Sequence, residues 1–393
     1  MHTSRVFIHG VEMLNALGND SNEVASALGL GVAPGLGPAR LDAWRQGYLG
    51  RVTAPLSLAP PEHLSPYDCR NNRLLLAALA QIVDAIEHAR ERFGAHRIGV
   101  VIGTSTSGMA EAEAAWSHRV HHGVLPALFD YRQMEIGAVA PFAAAALGVT
   151  GPAYTVSTAC TSSAKAIISA RRLLQANVCD AVIAGGVDTL CALTIQGFAS
   201  LESTSDTRAN PMSRNRRGIN IGEGAAVFLL SREEARVSIA GVGESSDAYH
   251  ISSPEPEGAG AELALRQALA GAGIEPRAVG YVNLHATATI KNDEMEARLM
   301  SRVFPSGVPT SGTKPFTGHT LGAAAATELA LAWLTLDGSD MRSRIALPCH
   351  VWDRQAAPAL DLIEDTRRLT GDAYVMSNSF AFGGSNASLI LHG

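Results

Sequence analysis

The run from Ala153 to Asp188, AYTVSTACTSSAKAIISARRLLQANVCDAVIAGGVD, restricts the possible folds more than any other part of the chain. A β-prone segment, Ala153 to Val156, ends in small residues, and a long helical pattern follows with no proline or glycine before Gly185. The apolar segment Val178 to Gly186 (VCDAVIAGG) then reads as a second strand. Cys160 falls at the first strand-to-helix corner. There the unsatisfied N–H groups and the positive end of the helix dipole favour a thiolate. A buried structural cysteine is the commoner case, and Cys179 and Cys191, within or beside apolar segments, suit that description.

Strands alternate with helical patterns along the rest of the chain, which marks an α/β fold. Arg5 to Val11 reads as a strand, followed by a turn and helix cap at Gly18 to Ser21. Residues 29–60 are rich in Gly, Pro and Ala and read mostly as loop, whereas Ser65 to Phe93 reads as one long helix carrying Arg70 and Arg73. Arg97 to Gly103 (RIGVVIG) has the uniform apolarity of a strand buried on both faces. In the second half, strands are expected at Val279 to Leu284, Val308 to Gly312, Ala373 to Ser377 and Ala387 to Leu391.

Each half places small residues at the start of a long apolar helix, STACTSSAKAIISARRLL in one and GHTLGAAAATELALAWLTL in the other. This weak likeness suggests two copies of one βα unit, with a division into residues 1–235 and 236–393. The 393-residue chain is long enough for such a pair, and 47% hydrophobic content with 17% charged residues describes a compact globular protein. A net charge of -6 argues against nucleic acid as the main partner. The apolar stretches are too short to span a bilayer, and no targeting signal is visible. Five cysteines without a CxxC pair argue against a disulfide framework and a cysteine-rich zinc site, and suit a reducing cytoplasm. His118, His121 and His122 lack a neighbouring ligand set and read as surface or interface groups. The arginines at 214, 216 and 217 read as part of a solvated loop.

Three more strand exits carry reactive groups: His285 in NLHATAT, Lys314 and His319 in TSGTKPFTGHTLGAA, and Phe382 in NSFAFGGSN. In α/β folds such exits converge on one crevice. These three segments, together with STACTSSAKA, resemble the signature blocks of the β-ketoacyl-acyl-carrier-protein synthases, condensing enzymes of the thiolase superfamily. Order and spacing agree over nearly the whole chain. The resemblance implies a layered α-β-α-β-α fold with two pseudo-repeated halves. It also implies a decarboxylative Claisen condensation. Cys160 would carry the acyl group as a thioester, while His285 and His319 would bind the malonyl thioester and support loss of carbon dioxide. Lys314 would order the histidines with Glu328 as its partner, and the amides of Cys160 and Phe382 would form the oxyanion hole. Thr287 and Thr289 would contact pantetheine, Phe382 would act as a gate, and Arg70 and Arg73 would dock an acidic acyl carrier protein. No cofactor or metal is implied. Relatives are dimers, so a homodimer or a heterodimer with a related subunit is expected, with the interface guessed around Val178 to Asp188.

Departures from the family pattern tilt the reading toward a specialised polyketide or aryl-polyene branch over primary fatty-acid elongation. Ala286 and Ala288 stand where the family has glycine or serine, Ala381 replaces a glycine before Phe382, and ANPMSRNRRGINIGEG keeps only the Gly-Glu-Gly of its block. A non-catalytic partner resembling chain-length factors, and a coenzyme A-dependent thiolase or thioesterase, are the alternatives. Retention of Cys160, His285, His319 and Lys314 speaks against the first, and the glycine block lacks the second cysteine of thiolases.

Overall fold

All six residues of Ile98–Gly103 are buried, as a strand requires when helices cover both of its faces. Val100 and Ile102 point into a core with the helices Arg70–Gln81 and Val139–Leu147, while Val101 faces the helix Ser162–Gln175. That period of two fixes which side the Cys160 helix occupies. The computed structural model describes residues 5–43, 45–337, 345–355 and 359–393.

Along the chain the strands are β1 (Val6–Leu14), β2 (Leu36–Arg40), β3 (Gln46–Gly50), β4 (Ile98–Gly103), β5 (Ala153–Val156), β6 (Ala181–Asp188), β7 (Ile221–Gly222) and β8 (Gly224–Ser231). They continue with β9 (Val237–Ser246), β10 (Val279–Asn283), β11 (Pro309–Ser311), β12 (Asp361–Leu362), β13 (Tyr374–Phe380) and β14 (Ser385–His392). The main sheet has the order β12-β11-β10-β13-β14-β9-β1-β8-β6-β4-β5. Read outward from its centre, β1-β8-β6-β4-β5 and β9-β14-β13-β10-β11 repeat one pattern. In each, two antiparallel pairings are followed by two parallel ones. The pseudo-repeat is therefore a repeat of topology, joined where β1 pairs antiparallel with β9.

Two helices are buried on nearly every side between the half-sheets: Ser162–Gln175, starting just after Cys160, and Ala324–Leu334. Alanine dominates the second, which lets backbones approach closely. The closest approach is at strand ends. A Cβ on Gly103 would lie 2.4 Å from the Ser163 backbone nitrogen, and one on Gly186 would lie 2.6 Å from the Ser163 Cβ. Both glycines let the start of the Cys160 helix seat directly on the sheet.

Three expectations change. Residues 29–60 contain the β2–β3 hairpin, which β7 extends into a separate small sheet. Its short glycine- and proline-bearing strands lack alternation, because β3 takes its place by lying against the Thr317 backbone, 2.3 Å from where a Gly50 Cβ would sit. The expected helix over Ser65 to Phe93 is a 3-10 turn, Glu62–Tyr67, and two helices that part at Ile82, whose φ of -111° leaves the helical range. β6 cannot form a subunit interface, since all eight residues are buried between β4 and β8. The edge of this half-sheet is β5, whose residues are only partly covered. No helix among the described residues is long and apolar enough to cross a membrane.

Gly103→Ala is expected to cost about 1–3 kcal/mol through overpacking. Gly137→Ala, which meets nothing within 4 Å, should be close to neutral. Urea unfolding of the two variants checks the contrast.

Candidate active site

Cys160 follows Ala159, whose φ of +53° is costly for a residue with a Cβ. This bend ends the chain's run from β5 and turns it into the helix at Ser162. Cys160 is 6% exposed, and its Sγ lies 2.9 Å from His319 Nε2. Burial pushes the thiol up to about 11, against the opposing pull of the Lys314 ammonium and of the Phe382 and Cys160 amides. The helix start alone therefore does not hold a resting thiolate. A thiol–imidazole pair, in which the sulfur ionises as its proton moves, fits this geometry better.

His285 stands edge-on to His319, with ring centroids 5.6 Å apart at 87°. Behind it the buried Lys314 bonds the His285 carbonyl and forms an ion pair with the equally buried Glu328. Lys314 Nζ also lies 3.3 Å from His285 Nδ1. An ammonium has only donors, so Nδ1 must accept and the ring proton sits on Nε2. Burial first, then the Lys314 charge, holds both histidines well below the usual imidazole range. Both are neutral at physiological pH. Burial pushes Glu328 up to about 7 against the opposing charge of Lys314.

The loop after His285 is shaped by two buried carboxylates. Glu296 accepts the His285 and Ala286 amides, both at 2.7 Å, and Asp293 accepts those of Ala288 at 3.2 Å and Met212 at 2.8 Å. Burial pushes Glu296 up to about 8 against these two bonds. Ala286 and Ala288 have φ of +40° and +64°, so they hold the left-handed conformation that glycine adopts more easily. Room for the first methyl comes from Gly312, where a Cβ would sit 2.4 Å from Ala286 Cβ. The Thr287 and Thr289 hydroxyls lie 2.9 Å apart, and both residues line the cavity above Cys160.

The turn Ala381–Gly384 closes the site between β13 and β14. Gly383 and Gly384, at φ of +84° and +76°, carry the bend, while Ala381 keeps an ordinary conformation and donates its amide to Ser385 at 2.8 Å. The Phe382 amide is directed at the Cys160 sulfur, and its ring packs on Phe198 at 5.4 Å. These groups surround one cavity of about 360 Å³ that opens to solvent near Arg217 and Lys291.

Arg70 and Arg73 lie outside it. Each is partly exposed and already paired, Arg70 with buried Glu223 at 2.5 Å and Arg73 with Asp68 at 2.6 Å. His118, His121 and His122 fall on the helix Met109–His122, away from the cavity. Among the described residues, Cys160, His285 and His319 are the one group with metal-like spacing, their ligand atoms lying within 4.8 Å. The buried ammonium beside His285 opposes a second cation there.

Sequence reading passed over Asp188, a fully buried hub outside the cavity lining. Its carboxylate accepts from Thr104 Oγ1 at 2.5 Å, the Ser105 and Thr106 amides at 2.8 and 2.9 Å, and the Gly322 amide at 2.6 Å. It thereby ties the β4 exit to the segment after His319. An acid ending the apolar run VIAGGVD was the available signal.

Comparison with known proteins accords with this centre. The β-ketoacyl synthase N-terminal domain model matches residues 69–236 and its C-terminal domain model residues 236–345. The chain belongs to the β-ketoacyl synthase family. It is 31% identical to 3-oxoacyl-[acyl-carrier-protein] synthase 2 of Vibrio harveyi over 99% of each chain. The Coxiella burnetii enzyme of the same name is 30% identical over 100% of this chain and 99% of its own. A ketosynthase (ApeO) from Xenorhabdus doucetiae, solved in complex with its chain length factor (ApeC), superposes with a TM-score of 0.93 at 45% identity, covering 99% and 98% of the two chains. A β-ketoacyl synthase from Burkholderia phymatum superposes at 0.84 with 27% identity and 99% coverage of each. The chain is thus a β-ketoacyl synthase of thiolase-like fold, catalysing the Claisen condensation that lengthens an acyl chain.

Lys314→Met is expected to destabilise by about 3–5 kcal/mol because it strands the Glu328 charge in the core. Lys314→Met/Glu328→Leu should recover at least half of that loss. Urea unfolding of the single and double variants measures the coupling, and additive losses would contradict it.

Proposed function

We propose that Cys160 is the acyl carrier of the condensation and that His285 and His319 hold the extender unit. The observation that carries this reading is the 2.9 Å contact of Cys160 Sγ with a neutral imidazole, beside a second neutral imidazole backed by a buried Lys–Glu pair. In the first step Cys160 Sγ attacks the carbonyl of an acyl thioester on a carrier protein. His319 Nε2 takes the thiol proton and passes it to the departing carrier sulfur. The oxyanion formed meanwhile is held by the amides of Cys160 and Phe382.

A malonyl thioester then enters with its carbonyl toward the histidines. Its carbon–carboxylate bond breaks, carbon dioxide leaves, and the electron pair becomes an enolate held by the His285 Nε2–H and, once the ring proton of His319 has moved from Nδ1 to Nε2, by His319 as well. Neutral imidazoles suit this task because they stabilise the enolate without protonating its carbon. That carbon attacks the Cys160 thioester, the same amides hold the new oxyanion, and collapse releases the sulfur and a β-ketoacyl carrier protein. Thr287 and Thr289 flank the path of the pantetheine arm, and Phe382 guards the acyl side. Residues 1–235 supply the nucleophile and residues 236–393 the histidines and lysine.

The pathway we favour is a specialised polyketide or aryl-polyene one. Support comes from the alanines at 286, 288 and 381, and from 45% identity to a ketosynthase solved with a chain length factor against 30–31% to the fatty-acid-type synthases. A related subunit as partner is supported by the exposed apolar groups Trp116, Val120, Leu128 and Tyr131. The cytoplasm suits five free cysteines. A role as a non-catalytic partner fits poorly with a complete Cys–His–His–Lys set.

Mass spectrometry after incubation with acyl carrier proteins of differing chains should find the acyl group on Cys160. Cys160→Ala should lose condensation by several orders of magnitude, and condensation retained without an adduct would overturn the assignment. Carrier docking by Arg70 and Arg73 is tested with Arg73→Glu, which breaks only a surface pair. The KM for carrier-bound substrate should rise several-fold at unchanged kcat, and an unchanged KM removes Arg73 from the dock.

A further inference from the structure

A second cavity, of about 120 Å³, opens at the end of the molecule away from Cys160. It lies where the half-sheets join, between Arg5 just before β1, Ser238 in β9, Tyr374 at the start of β13 and His392 at the end of β14. Arg171, from the C-terminal part of the Cys160 helix, completes it. Eleven residues separate Arg171 from Cys160, or roughly 16 Å at the rise of a helix.

Most arginines are paired with a carboxylate, as Arg172 is with Glu244 at 2.6 Å. Arg171 has no carboxylate partner among the described residues, and its Nε is buried without an acceptor. Burial first, then the repelling charge of Arg172, lowers its proton affinity. Arg5 in turn acts as a repelling charge on His392, against the attraction of Asp372. Burial holds His392 below the usual imidazole range, so that ring is a neutral donor or acceptor at physiological pH.

An arginine cannot relieve such a situation by losing its proton. Two guanidinium side chains, an imidazole and a hydroxyl line this space of about 120 Å³. That set matches a tetrahedral oxyanion, whose oxygens can take the planar fork of a guanidinium and several single donors at once.

We propose that this cavity is a phosphate-binding site, with Arg171 and Arg5 as the charged ligands and Ser238 and His392 as neutral ones. The phosphate group belongs either to free inorganic phosphate or to an organic phosphoester whose remainder stays in solvent, since the cavity holds little beyond the group itself.

Thermal unfolding at pH 7.5 tests this on the full chain, with sodium phosphate compared with sodium chloride at equal ionic strength and adenosine 5′-monophosphate as a second ligand. The wild-type protein should show a saturable rise in Tm with at least one of the two phosphates beyond that given by chloride. A rise with inorganic phosphate identifies the free ion as sufficient, and a rise with the monophosphate alone identifies an ester. Arg171→Gln should abolish the rise, and the surface variant Arg5→Gln, which leaves the core untouched, should weaken apparent affinity at least tenfold. No rise beyond chloride, or an equal rise in both variants, overturns the proposal.

Discussion

The ion pair between Lys314 and Glu328 is the interaction on which the site depends. Both groups are almost fully buried, so neither can be hydrated and each needs the other. A pair of this kind contributes little net stability, and its value lies in orientation. Lys314 reaches the His285 carbonyl and Nδ1, which sets the tautomer and turns Nε2 toward the cavity. Its charge adds to burial in keeping both imidazoles neutral and, together with the Phe382 amide, pulls against the desolvation of Cys160. In the mechanism proposed above, stabilising an enolate and generating a nucleophile make opposite demands on charge, and one ammonium at a fixed distance would serve both.

Carboxylates buried around the rim extend the same logic to the backbone. Asp188, Glu296 and Asp293 each collect amide N–H groups from loops that leave the sheet. Strand exits are too irregular to satisfy their own amides, and a buried carboxylate with two oxygens can satisfy several. This explains how Ala286 and Ala288 tolerate positive φ. Their amides are fixed by Glu296 and Asp293, which holds the loop in that conformation.

Sequence pattern revealed the strands that are buried on both faces and the helix after Cys160, because uniform apolarity and the absence of Gly or Pro are local signals. β5 and β4 fall within a residue of expectation. The β2–β3 hairpin was illegible because its partners, β7 and the Thr317 backbone, are distant in sequence. The site behaved likewise. Cys160, His285, Lys314 and His319 are marked by residue type at strand exits, and their grouping was reached through family resemblance more than spacing. The Asp188 hub escaped because an acid's burial cannot be seen in a strand's composition. The ionisation state of Cys160 was misjudged for a related reason: a helix start argues for a thiolate, but burial is set by the whole fold and outweighs it.

The strand order also bears on how the protein is made. β14 is synthesised after every other strand, yet it lies between β9 and β13 near the middle of the sheet. The N-terminal half-sheet can close while translation continues, but the other half must wait with two long edges open. Asn386 and Ser385 bond to Asp247 and Thr161, so the catalytic cavity is finished in the same event. Cys160 is therefore present in the growing chain for more than two hundred residues before the pocket that governs its reactivity is complete.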